Sequence, residues 1–490
     1  MIKSIQHFEE IGTRNLEKVI EKFLQNPKDM ASLVYGVQES VIQLGLNIIK
    51  ETLEDCDEVL RNSLKRKQNW HIVKKDEKKL ITSLGTVNFE KTLFKSKASG
   101  ERAYLLDRIL GFEEHQRLTE DAQARMLEEA VETSYRKAGQ ATSLSDTVSK
   151  QTVKNQIHSL EFHYNYKDLP VKKKVDYLYI DADEDHISLQ FNEKKGDLIK
   201  NDNNRKNNCI ISKIVYVYEG IEKDNPRSKR NKLINPHYFC GNYPREENQI
   251  LWDRVYDYIC CNYDVDHIKK IYLNGDGGAW IKGGKRRIAG ITYVIDRFHL
   301  NKYMIRATSH LLDSAEDARR EISDAIKRGT KKDFVKVIEK ILRVTEGEST
   351  IKRVNESKNY IISNWSAIKV RLMNKERIIG CSAEGHVSHV LSSRMSSRPM
   401  GWSRTGTDKM AHLRAYYYNG GNMLELVRKQ REALPKAAGA EENDIISCEE
   451  MLRAERNKHY KLGKYTESIS HSVSADAKKY AWFNAHIWGL

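Results

Sequence analysis

The stretch HIKKIYLNGDGG, residues 267–278, decides how the chain is interpreted. Apolar residues alternate into it as in a buried β-strand, and glycines surround Asp276 where that strand would end. A glycine-rich loop after a strand can cradle a phosphate, but neither GxxxxGK[ST] nor GxGxxG occurs here. The alternative is a carboxylate held at the strand end as a metal ligand, with glycines that let another backbone approach closely.

Further strands surround this stretch. VDYLYIDADEDHISLQF (175–191) is predicted to form two strands around an acidic break, KIVYVYEG (213–220) a third, HIKKIYLNGDGG a fourth and IAGITYVIDRFHL (288–300) a fifth. DRVYDYICCNY (253–263) is predicted to be a helix. Antiparallel strands followed by strand–helix alternation predict an α+β or α/β fold with a mixed sheet.

The rest of the chain is predicted to be mostly helical, with one hairpin at LITSLGTVNFEKTLFKSK (80–97). After residue 300 the predicted alternation of strands and helices is replaced by helices alone, as in a helical insertion. The predicted regions are an N-terminal helical region (1–68), a hairpin and helix-turn-helix region (69–165), the first part of a catalytic core (171–300), a helical insertion (301–380), the second part of the core (381–434), and a linker with a basic tail (435–490).

Composition points to a nucleic-acid partner. The formal net charge is +15 over 490 residues, although a solvated basic surface would give the same number. The seven cysteines form no CxxC pair, which fits a reducing cytoplasm better than a disulfide framework or a zinc knuckle. The sequence contains no run of eighteen apolar residues, so no membrane span is expected.

The segment SYRKAGQATSLSDTVSKQTVKNQIHSL (134–160) has the outline of a helix-turn-helix. A helix ends near Gly139, and Ser149 stands where an N-cap would precede a second helix. That second helix would present its exposed residues to the major groove of DNA. The residues expected to contact DNA bases are Lys150, Gln151, Lys154 and Asn155. The alternative interpretation is two helices joined by a turn, with no role in DNA binding.

Three carboxylates are candidates for metal-assisted phosphoryl chemistry. Asp183 and Asp276 end strands, and Glu384 lies in the first turn of a helix that shares a face with Val387 and Leu391. Rigid carboxylates of this kind can hold two Mg²⁺ ions. Each also has a structural alternative, because strand-end aspartates cap turns and a glutamate complements a helix N-terminus. Asp181 and Asp185 compete with Asp183.

Cationic and aromatic residues near these carboxylates are candidate DNA contacts. Arg394 and Arg398 in LSSRMSSRPMGWS suit bidentate phosphate contacts, unless they belong to a solvated basic loop. Trp280 and Trp402 could stack on an unpaired base, with core packing as the alternative.

The ordered set of motifs resembles insertion-sequence transposases of the DDE type, and more narrowly the bacterial ISLre group within the mutator-like superfamily. The family's first aspartate follows an alanine, as in Ala182–Asp183, and its second lies in a GDG context, as at Asp276. Its glutamate follows an all-helical insertion, as Glu384 does in SAEGHVSHVLSSRM. One departure is that Glu184–Asp185–His186 replaces the glycine of many relatives, which leaves the choice between Asp181 and Asp183 open.

The resemblance implies an RNase H-like catalytic domain interrupted by the helical insertion. Asp183, Asp276 and Glu384 would bind two Mg²⁺ (or Mn²⁺) ions, and Asp296 and His299 in DRFH would organise the core, with His299 near DNA. The implied substrates are double-stranded DNA at the element's terminal inverted repeats and at the target, the implied state is a homo-oligomer on DNA, and the implied location is the cytoplasm. The alternatives are a non-catalytic DNA-binding regulator, a domesticated or decayed transposase, and a glycosidase with paired carboxylates. A basic charge and strand ends poor in aromatic residues disfavour the glycosidase, because sugar sites usually stack on aromatic rings.

Overall fold

The chain folds into two compact units. The computed structural model describes residues 2–433 except 165, 167, 192–198, 201–205, 229–230, 375–377, 380–382 and 399, so the expected tail at 435–490 lies outside the described residues. The first unit comprises residues 1–126, 136–149 and the chain from Leu424 on, and the second comprises 127–135 and 150–423. Among the described residues, no helix combines the length and apolar character needed to cross a lipid bilayer.

The fold is mixed α and β, as the sequence predicts at that level. The helices are α1 (Ile2–His7), α2 (Thr13–Gln25), α3 (Met30–Asn62), α4 (Leu64–Asn69), α5 (Leu105–Leu110), α6 (Glu120–Glu132), α7 (Tyr135–Ala141), α8 (Lys150–His158), α9 (Asn248–Asn262), α10 (Ala279–Arg287), α11 (Arg297–Thr308), α12 (Ala315–Arg328), α13 (Lys331–Arg343), α14 (Glu348–Ser363), α15 (Trp365–Met373), α16 (Ala383–Val387), α17 (Ser393–Met395), α18 (Arg404–Tyr418) and α19 (Met423–Ala433). Single π-helical turns lie at Phe8–Gly12 and Ser388–Ser392, and 3₁₀ turns at Arg245–Glu247 and Ser309–Ser314. The strands are β1 (Trp70–Ile81), β2 (Thr86–Ser96), β3 (Arg102–Tyr104), β4 (Tyr177–Ser188), β5 (Ile199–Lys200), β6 (Lys206–Asn207), β7 (Cys209–Tyr218), β8 (Gly220–Lys223), β9 (Asn231–Ile234), β10 (His237–Gly241), β11 (Lys270–Gly275) and β12 (Ile291–Ile295).

The first unit is built around the antiparallel sheet β1-β2-β3. β1 and β2 form the expected hairpin, which turns between Ile81 and Thr86. The C-terminal half of α3 packs on this sheet and contributes Leu60 to its apolar core. Asp57 of α3 is buried, and it accepts hydrogen bonds from the backbone N–H (2.9 Å) and the hydroxyl (2.5 Å) of Thr92, so the helix is fixed to β2 by polar contacts as well as apolar ones.

The second unit contains a five-stranded sheet in the order β10-β7-β4-β11-β12. β4, β11 and β12 run parallel, whereas β7 is antiparallel to both β4 and β10. One face is apolar and packs with α9 and α10 in a core that includes Ile180, Trp252 and Ile281. Because side chains alternate along a strand, Asp181 and Asp183 of β4 lie on the other face.

Helices α11–α15 follow the last strand and have a core of their own. Phe334, Ile338 and Ile368 are among its fully buried members, and Ile295 at the end of β12 belongs to the same cluster. A capping box at Thr330 and Asp333 begins α13. The helical insertion expected at 301–380 is therefore helical through Met373, and residues 375–377 and 380–382 lie outside the described chain.

The segment from α16 to α17 covers the polar face of the five-stranded sheet. The His386 ring lies 4.7 Å from the Tyr216 ring, and its Nδ1 is 2.9 Å from the Tyr238 hydroxyl. Ser392 and Ser396 both donate to Asp185, at 3.0 and 2.7 Å. This segment thus covers the part of that face formed by β7, β10 and Asp185, while Asp183 stays half-buried.

Candidate active site

Two carboxylates lie near each other where the parallel pairing of β4 and β11 ends. The last paired residues are Asp181 and Asn274, so Asp183 and Asp276 lie just past them on the same side. β4 itself continues through Ser188 in its pairing with β7, which corrects the expectation of two strands around an acidic break, with Asp183 at a strand end. Burial raises the pKa of Asp183 to about 6, and the negative charge of Asp276 adds to this rise. A site that gathers negative charge and limits hydration in this way attracts a cation.

The loop after β11 fixes the Asp276 carboxylate. Its Oδ1 accepts the backbone N–H of Gly278 at 2.8 Å, and its backbone carbonyl accepts the Tyr360 hydroxyl at 2.6 Å. Gly277 has a φ of 106°, and a Cβ there would lie 3.0 Å from the Asn364 side chain. A Cβ on Gly275 would lie 2.7 Å from Ile281. The glycines therefore allow close packing within the protein, and the expected close approach of a DNA backbone to them stays a prediction.

Asp296 and His299 lie beside this pair. Asp296 is buried at the end of β12 and caps α11 by accepting the Phe298 N–H at 3.2 Å. Its other oxygen is 3.1 Å from Nδ1 of His299. This hydrogen bond raises the pKa of His299, and the charges of Asp296, Asp276 and Asp183 contribute further. The protonated form of His299 is thus favoured relative to an ordinary histidine, and the ring is electrostatically coupled to both Asp183 and Asp276.

A buried polar layer lies beneath the two carboxylates. Asp181 is fully buried and accepts from the Tyr216 hydroxyl (2.8 Å), the Tyr218 hydroxyl (3.2 Å) and Asn274 Nδ2 (2.6 Å). Arg371 of α15 donates to Asn274 Oδ1 at 3.2 Å and to the Ile295 carbonyl at 3.0 Å. Asp181 is thus engaged with three interior donors, which leaves Asp183 as the candidate ligand of the two.

The sequence interpretation missed Arg371 and Asn274. Asn274 had a usable signal, because it precedes Asp276 by two residues and therefore shares its face of β11. Arg371 had no such sequence signal, because nothing in the helical pattern of α15 indicates that this arginine contacts a strand almost a hundred residues away.

The residues present fit a divalent cation held by two carboxylates. Mg²⁺ is commonly bound by one or two carboxylates together with water and substrate phosphates, and Asp183 and Asp276 offer that donor set. Within the described residues, no three His, Cys, Asp or Glu side chains are grouped closely enough to hold a metal. The expected three-carboxylate site for two ions is therefore not assembled in this structure.

Glu384 is the residue that fails to join the pair. It lies in the first turn of α16 but is exposed, whereas Ala383 and Val387 of the same helix are buried. The helix turns Ala383 and Val387 inward and places His386 on the tyrosines of β7 and β10. Burial lowers the pKa of His386 to about 4, so a neutral imidazole occupies the position facing the sheet. This corrects the expectation that Glu384 points with Val387 at the sheet.

Arg394 is part of the protein interior. Only 5% of its surface is exposed, its Nε donates to the Ala130 carbonyl at 3.1 Å, and its guanidinium lies 4.9 Å from the Trp402 ring centre. Burial lowers its pKa to about 10. This corrects its expected role as a phosphate contact, whereas Arg398 is exposed and its role stays a prediction.

Both tryptophans proposed as base-stacking platforms have structural contacts. Trp402 is buried and donates to the Met395 carbonyl at 2.9 Å. Trp280 donates to Glu184 Oε2 at 2.7 Å and packs beside Trp252. The core-packing alternative therefore describes both.

The two helices of the expected helix-turn-helix are present as α7 and α8. Lys150, Gln151 and Asn155 are exposed on α8 and Lys154 is half-buried, while Val153 and Ile157 of the same helix are buried. Most of α7 belongs to the first unit and α8 to the second. The DNA-reading role of α8 stays a prediction.

Comparison with known proteins places the chain in a family without an assigned activity. Residues 23–432 match the family described as "Uncharacterised protein family (UPF0236)". The chain belongs to the UPF0236 family. A UPF0236 protein of Caldanaerobacter subterraneus subsp. tengcongensis is 36% identical over 414 residues, which cover 84% of this chain and 83% of that protein. A UPF0236 protein of Streptococcus gallolyticus, described as in the vanSb 3′ region, is 23% identical over 419 residues, covering 82% and 86%.

One solved structure is a distant match. It is the Drosophila P element transposase strand transfer complex, at 11% sequence identity, with coverage of 66% of this chain and 84% of that one. The TM-score of this match is 0.22.

Proposed function

We propose that this UPF0236 protein is a DDE transposase of an insertion sequence, with an RNase H-like catalytic domain and a relation to the ISLre group. The observation that carries the proposal is the Asp183–Asp276 pair, which lies just past the last residues paired between the parallel strands β4 and β11 and shares one electrostatic environment with His299. The order of the five strands, with β7 antiparallel in an otherwise parallel centre, supports an RNase H-like sheet. The net charge of +15 supports a DNA substrate.

Each residue of the pair has a distinct environment and therefore a distinct task. Asp276 is oriented by the Gly278 N–H, so its carboxylate is held in place before substrate arrives. Asp183 is partly desolvated, so it gains most from a cation. The two would hold Mg²⁺ or Mn²⁺, which supplies charge neutralisation and activation of oxygen nucleophiles. His299, with its raised pKa, would neutralise a DNA phosphate beside the pair.

The proposed reaction consists of two phosphoryl transfers. In the first, water attacks a phosphodiester at the element's terminal inverted repeat, and the leaving group departs as a 3′-OH. In the second, that 3′-OH attacks a phosphodiester of the target DNA and displaces its 3′ oxygen, so one bond forms as another breaks. Neither step passes through a covalent enzyme intermediate. Glu384 and a second ion remain part of the proposal as groups recruited with DNA.

Cleavage of a labelled duplex that carries the DNA flanking this gene tests the proposal. Wild type is compared in Mg²⁺ and in EDTA, and Asp183→Asn and Asp276→Asn are compared with Asp266→Asn, an exposed aspartate of the same unit. We expect metal-dependent cleavage by wild type and Asp266→Asn. We expect at least about a 100-fold loss in the two site variants, since even outer-shell partners of a metal cost 10–100-fold.

A second candidate function is that of a domesticated or decayed transposase that binds DNA without cutting it. The exposed position of Glu384, apart from the strand-end pair, favours this alternative. Duplex binding that is equal in Mg²⁺ and EDTA, with no cleavage by wild type, would replace the first proposal with this one. The cytoplasmic location also stays a prediction.

A further inference from the structure

The N-terminal half of α3 presents an apolar face to solvent within the first unit. Met30, Val34, Val37 and Val41 are 54%, 55%, 39% and 55% exposed, and the neighbouring Tyr35 is 69% exposed. The C-terminal half of the same helix behaves differently, because it packs on the sheet of this unit through residues such as Leu60. The helix is therefore anchored at one end and apolar on its open side at the other.

These exposed residues follow a heptad repeat. From Met30 the steps are four, three and four residues to Val41, and the same alternation continues to Leu44 and Ile48, which are half-buried. A strict period of 3.5 is the signature of a coiled-coil seam, whereas a helix packed on a globular core carries a broader 3.6-residue stripe. Every second seam position is β-branched (Val34, Val41 and Ile48), which is the choice that favours two-stranded assemblies.

The borders of this seam are uncharged. Between Asp29 and Lys50 the only charged residue is Glu39, in a chain of which 31% of residues are charged. The positions that flank the seam in the heptad are Ala31, Leu33, Gln38, Ser40, Gly45 and Asn47. A different partner helix is normally selected by complementary charges at these flanks. An uncharged border offers no such selection, and it brings no like charges together when the helix meets a copy of itself.

The size of the face fits a dimer. The seam from Met30 to Ile48 spans about 30 Å at 1.5 Å per residue. Exposed Ile20 and Leu24 of the neighbouring α2, 46% and 67% exposed, widen the apolar area. Monomeric proteins rarely expose a contiguous apolar patch beyond a few hundred Å², and a stable interface buries about 800 Å² on each partner. A face that combines this seam with Ile20 and Leu24 is the kind of apolar surface that a dimer interface covers.

We infer that α3 pairs with α3 of a second copy of this chain, along the seam from Met30 to Ile48. The pairing is symmetric and two-stranded, and it requires neither DNA nor metal. It is independent of the proposed catalytic function, and it would supply the two copies that concerted joining of two DNA ends requires.

Sedimentation equilibrium of the full-length, nuclease-treated protein in EDTA tests the inference. We expect wild type to sediment as two chains. The double variant Val37→Glu/Val41→Glu places facing like charges in the seam and should weaken the dimer at least about 100-fold, since each unfavourable charge pair costs about a factor of ten or more. The control is Gln43→Glu, which adds one negative charge per chain to an exposed position of α3 outside the seam and should leave the dimer intact.

A charge-swap experiment keeps the test independent of folding defects. Val37→Lys/Val41→Lys alone should also be monomeric, but an equimolar mixture with the Glu double variant should recover a two-chain complex. Two outcomes would overturn the inference. One is a wild-type chain that sediments as a single copy at tens of micromolar. In that case the apolar face of α3 would belong to an occupant other than a second copy of this chain. The other is a Glu double variant that dimerises as tightly as wild type.

Discussion

Replacing Asp183 by asparagine should stabilise the metal-free protein at neutral and alkaline pH. Burial, with a contribution from Asp276, raises the pKa of Asp183 from 3.8 to about 6. The native state therefore holds this proton more tightly than the unfolded chain does. The stability contributed by protonation is complete below about pH 4 and is lost as the pH rises through about 6. Above pH 7 the ionised carboxylate costs about 3 kcal/mol at 1.36 kcal/mol per pKa unit.

Asparagine removes this cost without removing the local hydrogen bond. Oδ1 of Asp183 accepts the Glu184 N–H at 2.9 Å, and the amide oxygen of asparagine can do the same. We expect the free energy of unfolding of Asp183→Asn in EDTA to exceed that of wild type by up to about 3 kcal/mol at pH 8. The difference should shrink toward zero near pH 4. Urea unfolding at the two pH values measures it, with Asp266→Asn as the exposed control.

Two results would refute this reasoning. One is a variant no more stable than wild type at pH 8, which would mean that the carboxylate is not penalised in the folded state. The other is a stability difference that is the same at pH 4 and pH 8, which would separate it from ionisation. Added Mg²⁺ should raise the stability of wild type but not of the variant, because the variant lacks one of the two carboxylates.

Three further predictions concern other residues of the second unit. Arg371→Met should cost about 3–5 kcal/mol of unfolding free energy, because it leaves the buried Asp181 network without its cation, and the double variant with Asp181→Asn should recover part of that loss in a double-mutant cycle. Arg394→Ala should lower the urea midpoint yet leave the salt dependence of DNA affinity unchanged, because its guanidinium is buried, whereas Lys154→Ala should reduce that salt slope by about one in a binding titration. Glu384→Gln should abolish cleavage and leave the thermal stability of the free protein unaltered, because its side chain is exposed; full cleavage activity would remove Glu384 from the site.

Local sequence patterns predicted β7, β11 and β12, but they divided the continuous β4 into two strands and missed β10. The apolar residues before Asp276 and Asp183 define β11 and the first half of β4, and the parallel pairing of these two strands brings both carboxylates to the same side. The same patterns could not separate Asp181 from Asp183, because both occupy the same face of β4. That distinction depends on the tyrosines of β7, which come from a distant part of the chain.

Tertiary packing decided the residues whose placement the sequence misjudged. Helical periodicity alone predicted that Glu384 shares a buried face with Val387, but the segment contains a π-helical turn at Ser388–Ser392 and packs through Ala383 and Val387. Arg394 belongs to a basic loop by composition, yet it is enclosed by Ala130 and Trp402. Neither contact leaves a signal in the local sequence, because the partners come from other elements.

Joining of a pre-cut DNA end to a target plasmid tests the central claim most directly, because it separates a transposase from a simple nuclease. The substrate is a duplex from the flank of this gene with a free 3′-OH at the element end, incubated with wild type or Asp276→Asn in Mg²⁺ and in EDTA. The account predicts joined product only with wild type and Mg²⁺. Joining by Asp276→Asn at the wild-type rate, or no joining by a wild-type preparation that binds the same end, would contradict it.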